Sequence, residues 1–182
     1  MPISPEDRTE LVRLVRAAVE AAVSEGPLPT LRGLSGVLGE QRGCFVTLTN
    51  RGRLRGCIGT FHPDRPLAEM VIQMGAAAAS DSRFLSNPVT VKELPELTVE
   101  VSVLSPLAKT AEPEKLEIGK HGIYVMRGGL AGCFLPEVAV EMGWNAREFL
   151  SQCCAGKADL HPDAWRQPGT AVFLFTSEKF DH

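Results

Sequence analysis

Apolar positions along the chain change period several times, and each change marks an element. Leu11, Val12, Leu14, Val15, Ala18, Val19 and Ala22 recur at helical spacing, which gives one buried face. Ser4-Pro5-Glu6-Asp7 starts that helix: serine caps, proline suits a first turn whose N–H groups have no helical partner, and the acids favour the positive end. Gly26-Pro27 ends it, and residues 27–42 read as an irregular connector rich in proline and glycine. Two β-type runs, 44–49 and 53–58, flank Asn50-Arg51-Gly52, so a hairpin is expected with left-handed backbone at Asn50 and Gly52. Pro66 opens a second helix with Leu67, Met70, Val71 and Met74 on one face, and its alanines 76–79 leave room for another backbone to pack closely.

Past Asp81-Ser-Arg-Phe84 and a Pro88 loop, residues 97–104 alternate as a strand: Leu97, Val99, Val101 and Val103 on one side, Thr98, Glu100, Ser102 and Leu104 on the other. Residues 105–120 are polar and carry proline, a lobe boundary or surface excursion within one domain spanning 1–182. A second hairpin is expected from 122–126 and 130–135 around Gly128-Gly129. Pro136 starts a short helix through Met142, Asn145-Ala-Arg-Glu148 is a capping-box start for a helix ending near Gly156, and 171–175 reads as the closing strand. Helices and strands do not alternate strictly. The pattern therefore predicts an α+β fold, a mainly antiparallel sheet flanked by helices.

Composition narrows the function classes. The 182 residues are 44% hydrophobic and 23% charged, an ordinary globular balance. A net charge of -3 lacks the basic excess that phosphate-gripping proteins show, so no nucleic-acid partner is expected. Cys44, Cys57, Cys133, Cys153 and Cys154 are odd in number and form no Cys-x-x-Cys, which suits reduced thiols better than a disulfide scaffold. The histidines at 62, 121, 161 and 182 lack close metal-ligand spacing; no metal and no cofactor is expected. The acidic start, unlike a secretory signal, and apolar runs short of membrane-spanning length point to the cytoplasm and to no membrane partner.

The most informative segment is the second strand of the first hairpin, Arg53-Leu-Arg-Gly-Cys-Ile-Gly-Thr60. Gly56 and Gly59 bracket Cys57-Ile58, and interior glycine weakens a strand, marking a bulge or the close approach of another group. Cys57 is the candidate nucleophile or covalent carrier, with the glycine backbone open to a ligand oxyanion. In a regular strand residues 53, 55 and 57 share one face, placing Arg55 beside Cys57 and Leu54 and Ile58 in the core. The competing reading is a buried structural cysteine. Arg55 is the better candidate for an anionic group; Arg51 and Arg53 read as a solvated face. Asp81 and Arg83 form either an ion pair orienting the pocket or a helix stop with Phe84 plugging the core. Glu100 is a candidate general base or a cross-strand partner for Arg55. His121, in a strand-opening motif, is the candidate proton shuttle, against a loop histidine capping a carbonyl. Lys157 sits at a helix end, where a cation needs no catalytic role.

Around Leu54-Arg-Gly-Cys-Ile-Gly-Thr-Phe61 the sequence resembles the AMMECR-type domain family, whose bacterial members are called AmmeMemoRadiSam system protein A. Further elements follow in the family's order: Pro66-Leu67, Asp81 to Phe84, the strand Val99 to Leu104, Lys120 to Ile123, Phe134 to Ala139, Gly143-Trp144, and Lys157-Ala158 with Trp165. Ser82, Glu137 and Asp159 depart from the residues usual there. The resemblance implies a single α+β module with two unequal lobes. It also implies the company of a Memo-like protein and a radical S-adenosylmethionine protein, and through them a small-molecule ligand. Two functions stay open: an enzyme or enzyme component acting through Cys57, or a non-catalytic binding or adaptor module docking on those partners. A metal site of Cys57, His121 and a distant carboxylate is a weaker third.

Overall fold

The structure, a computed structural model, describes residues 3–31 and 33–181; Met1, Pro2, Arg32 and His182, and with them the first two positions of the acidic start and the last histidine, lie outside the described residues. The chain divides into two compact units, Met1–Leu104 with Glu178–His182, and Ser105–Ser177.

In the first unit, helix α1 (Pro5–Val23) begins where the sequence signals it, with the Ser4 hydroxyl accepting from the Asp7 N–H at 3.1 Å. Strands β1 (Cys44–Asn50) and β2 (Arg53–Thr60) form the hairpin. Its turn is two residues long, with positive φ at Gly52 as expected and at Arg51 in place of Asn50, which is the last residue of β1. Helix α2 (Leu67–Ala79) and strand β3 (Leu97–Leu104) follow. The sheet order is β2-β1-β3-β8, where β8 (Ser177–Asp181) is a strand the sequence pattern did not announce. Helices α1 and α2 pack on each other and on one face of this sheet. The core between them holds Leu11, Leu14, Val15, Leu67, Val71, Cys44, Val46, Leu48 and the apolar side of β3.

The second unit has its own sheet, order β4-β7-β5-β6, from Ala108–Thr110, Ala171–Phe175, Gly122–Arg127 and Leu130–Phe134. The polar stretch thus contributes β4, and the expected closing strand β7 is followed by β8 of the first sheet. Gly128 and Gly129 both take positive φ in the β5–β6 turn. Helices α3 (Pro136–Met142) and α4 (Ala146–Gly156) cover the sheet; α4 starts with the capping box of Asn145 and Glu148. Ile123, Val125, Phe149, Leu150, Trp165 and Val172 form this core. The architecture is α+β and antiparallel, but as two sheets. Among the described residues no helix is long and apolar enough to cross a membrane.

Candidate functional site

The hairpin register places Cys57. Asn50 pairs with Arg53 and Thr49 with Leu54, but then Leu48 pairs with Gly56 and Thr47 with Cys57, leaving Arg55 as an extra, bulged residue. Without that bulge the two-residue turn would set Cys57 opposite Val46, a fully buried core position. One inserted residue flips every following side chain to the other face. Cys57 consequently faces away from the helices with Thr47, while Ile58 packs on the core opposite Val46. The regular-strand expectation is corrected here: Leu54 is 41% exposed instead of in the core, and Arg55 no longer shares the Cys57 face.

Both bracketing glycines have packing causes. A Cβ at Gly56 would run into the carbonyl oxygen of Ala78, so this glycine admits the end of the alanine helix α2. A Cβ at Gly59 would occupy the space of the Phe45 ring. Neither glycine is held open by an empty site; close approach of protein atoms explains them.

What surrounds Cys57 is polar. The Thr47 hydroxyl donates to its Sγ at 3.2 Å. Because β2 is an edge strand, the outward N–H and C=O of Cys57 need partners from elsewhere. Asp81 accepts from the Cys57 N–H at 3.0 Å, and Arg83 Nη2 donates to the Cys57 carbonyl at 3.1 Å. The same two side chains form a forked ion pair, Nη2–Oδ2 2.6 Å and Nε–Oδ1 3.0 Å. Asp81 is buried, 4% exposed, and its hydrogen bonds with Arg83, with the Cys57 and Arg83 amides adding to them, hold its carboxyl far below the ordinary carboxylate range against the opposing effect of burial. Of the two readings of this segment, the ion pair is present, and Phe84 is half-buried beside a cleft instead of plugging the core.

Arg55, only 8% exposed, is held by protein atoms: Nε and Nη2 fork onto Glu93 at 2.9 and 3.0 Å, and Nη2 also donates to the carbonyls of Asn87 and Pro88. Glu93, not Glu100, is its carboxylate. The Arg55 hydrogen bond, seconded by Asn50 and the Thr90 amide, lowers the Glu93 carboxyl to about 2 despite burial. Glu100 lies on the Cys57 face, paired with Thr47 in register, and forms an ion pair with Lys179 of β8 at 3.2 Å. His121 belongs to the second unit, where its Nδ1 accepts from the Glu117 N–H at 2.9 Å, so the histidine caps an amide and not a carbonyl. It lines a shallow depression of about 270 Å³ with Ser105, Lys109 and Thr176.

A larger cleft, of about 410 Å³, opens beside the bulge between the hairpin end and the segment after α2; Leu54, Arg53, Arg55, Phe84, Asn87 and Glu93 line it, and Cys57 is not among its lining residues. Among the described residues no three His, Cys, Asp or Glu side chains converge to hold a metal ion. Thr47 and Glu93 were missed in the sequence. The bulge hid Thr47, and Glu93 is distant in sequence, though Thr90-x-x-Glu93 carries the capping-box pattern that the structure shows there.

Known proteins with this sequence pattern add the family. The AMMECR1 family model matches residues 12–180. A protein of Thermococcus gammatolerans is 44% identical, over 94% of this chain and 88% of its own length, and one of Methanothermobacter thermautotrophicus is 39% identical over 98% and 96%. The crystal structure of the uncharacterized protein PH0010 from Pyrococcus horikoshii matches with a TM-score of 0.83 at 38% identity, covering 94% of this chain and 89% of that one. A match of this length, running in order through both units, makes the chain a member of the AMMECR1 family.

Proposed function

We propose that the chain is a small-molecule-site protein whose reactive group is the Cys57 thiol, working as an enzyme component beside Memo-like and radical S-adenosylmethionine partners. The observation that carries this reading is the convergence of three side chains on one edge-strand residue: Thr47 on the sulfur, Asp81 on the amide and Arg83 on the carbonyl. A hydroxyl directed at sulfur is a contact that a thiolate, the nucleophilic form, accepts more strongly than a thiol does. The Asp81–Arg83 fork holds the backbone still while the side chain reacts, the kind of support that precise positioning of a nucleophile requires. Glu100, one strand beyond Thr47, is the candidate for moving the proton.

The test is the rate of iodoacetamide labelling of Cys57 against pH in the folded protein. Labelling faster at neutral pH than that of the urea-unfolded chain, and slowed in Thr47→Val, is the expected result. A Cys57 that stays unlabelled, or labels no faster than the unfolded chain, removes the catalytic reading.

A second reading, the non-catalytic adaptor, draws on the second unit. Val140 and Met142 on α3 are 60% and 58% exposed, an unusual pair of large apolar side chains on one short helix. On this reading Cys57→Ser leaves binding to the Memo-like or radical partner intact in a pull-down, while charged substitutions at Val140 and Met142 abolish it.

A further inference from the structure

The hairpin end carries three arginines, and the structure sorts them in a way their spacing did not. Arg51 pairs with Glu96 at 3.0 Å, and Arg55 is forked onto Glu93. The Arg53 side chain has neither a hydrogen bond nor an ion pair among the described residues, yet it lines the cleft of about 410 Å³. Two arginines are thus compensated in place and one is not, which leaves the cleft with a single unspent positive charge.

The walls specify what can approach that charge. Leu54, exposed where it pairs with Thr49, and Phe84, in the segment after α2, supply apolar surface to the lining. The Arg83 guanidinium lies 5.7 Å from the Phe84 ring centroid and so occupies one side of it. The side-chain amide of Asn87 has no hydrogen-bond partner among the described residues, while the Asn87 backbone carbonyl accepts from Arg55, which positions the residue at the cleft wall. Glu93 and Glu96 in the same lining repel any ligand with excess negative charge. Arg55, immobilised by four hydrogen bonds, makes the floor rigid before a ligand arrives, which lowers the entropic cost of binding. The volume lies at the small end of the roughly 300–1,000 Å³ typical of ligand pockets.

We propose that this cleft is a binding site for a small organic monoanion, a carboxylate with a flat apolar body, in which Arg53 and the Asn87 amide hold the charged end and Leu54 and Phe84 take the apolar end. Arginine's planar fork matches a carboxylate in two parallel hydrogen bonds. The site is separate from the Cys57 sulfur, and its test does not depend on thiol chemistry.

The experiment is a titration of the isotope-labelled full chain with benzoate, acetate and benzyl alcohol, followed by amide chemical shifts. Benzoate is expected to give saturable shifts at residues 53, 54, 84 and 87, with benzyl alcohol (no charge) and acetate (no ring) each binding at least about tenfold more weakly. Arg53→Ala should weaken benzoate about tenfold or more, Arg53→Lys less, and added salt should weaken benzoate but not benzyl alcohol. The substituted side chain is exposed, so the fold survives the change. Benzyl alcohol binding as well as benzoate, benzoate indifferent to Arg53→Ala, or no saturable shift in the cleft overturns the proposal.

Discussion

Two tripeptides in this molecule, Arg55-Gly56-Cys57 in β2 and Ala131-Gly132-Cys133 in β6, solve the same packing problem in the two units. Each lies on the second strand of a hairpin with a two-residue, positive-φ turn, and each strand is the edge of its sheet. In each, the glycine admits helix backbone: the Ala78 carbonyl at the end of α2 against Gly56, and the Lys157–Ala158 backbone just past α4 against Gly132. A glycine followed by cysteine at a sheet edge is therefore a packing device here, found twice. What differs is everything else around the sulfur. The β5–β6 register runs without a break, whereas β2 carries the bulge at Arg55. Burial pushes the Cys133 thiol up, only partly offset by Lys157, whose ammonium lies over the Phe134 ring. Cys57 instead has Thr47, Asp81 and Arg83. The comparison teaches that the glycines by themselves say nothing about function, and that the bulge and its polar partners are what set the first site apart.

The sharpest way to break the contrast is Arg55→Ala, which gives the first tripeptide the composition of the second. Glu93 and the carbonyls of Asn87 and Pro88 lose a buried cation, and urea denaturation should show a loss of about 3–5 kcal/mol, while Arg53→Ala leaves stability within about 0.5 kcal/mol. An equal effect of the two would mean that Arg55 is not the structural anchor of the bulge. Next in size come Gly56→Ala and Gly132→Ala. Each sets a methyl against helix backbone that cannot rotate away, and each should cost about 2–3 kcal/mol. Were one tolerated and the other not, the shared packing rule would fail.

Acid provides a smaller, reversible perturbation of the first unit. Glu93 titrates near 4.5 when unfolded and near 2 when folded, so its contribution is complete above about pH 4.5 and is lost as pH falls toward 2. Asp81, also depressed, acts in the same direction at still lower pH. Stability measured by urea midpoints between pH 6 and pH 2.5 should decline, and Glu93→Gln should flatten the slope; an unchanged slope would remove the Arg55–Glu93 pair from the account. The mildest test is labelling order. Iodoacetamide at pH 7.5 should modify Cys57 before Cys133, with Cys44, whose thiol burial pushes up to about 12, and the buried Cys153 and Cys154 last. Cys133 reacting first would reverse the comparison.

Local rules determined a large part of this protein. The Ser4 and Asn145 caps, the apolar faces of α1 and α2, the alternation of β3 and the paired glycines at 128 and 129 each act through neighbours a few residues away, so they are legible in order along the chain. The family pattern was legible for the same reason, being written in contiguous motifs. Strand β8, the division of the strands into two sheets, the Glu93 partner of Arg55 and the face on which Cys57 lies were decided only by the tertiary structure. The last shows why. Alternation along a strand fixes which residues share a face only while the register holds, and the bulge answers to contacts with α2 and with residues 87–93, far along the chain. Its single extra residue put Arg55 outside the strand ladder, where Glu93 holds it, and carried Cys57 onto the face of Thr47.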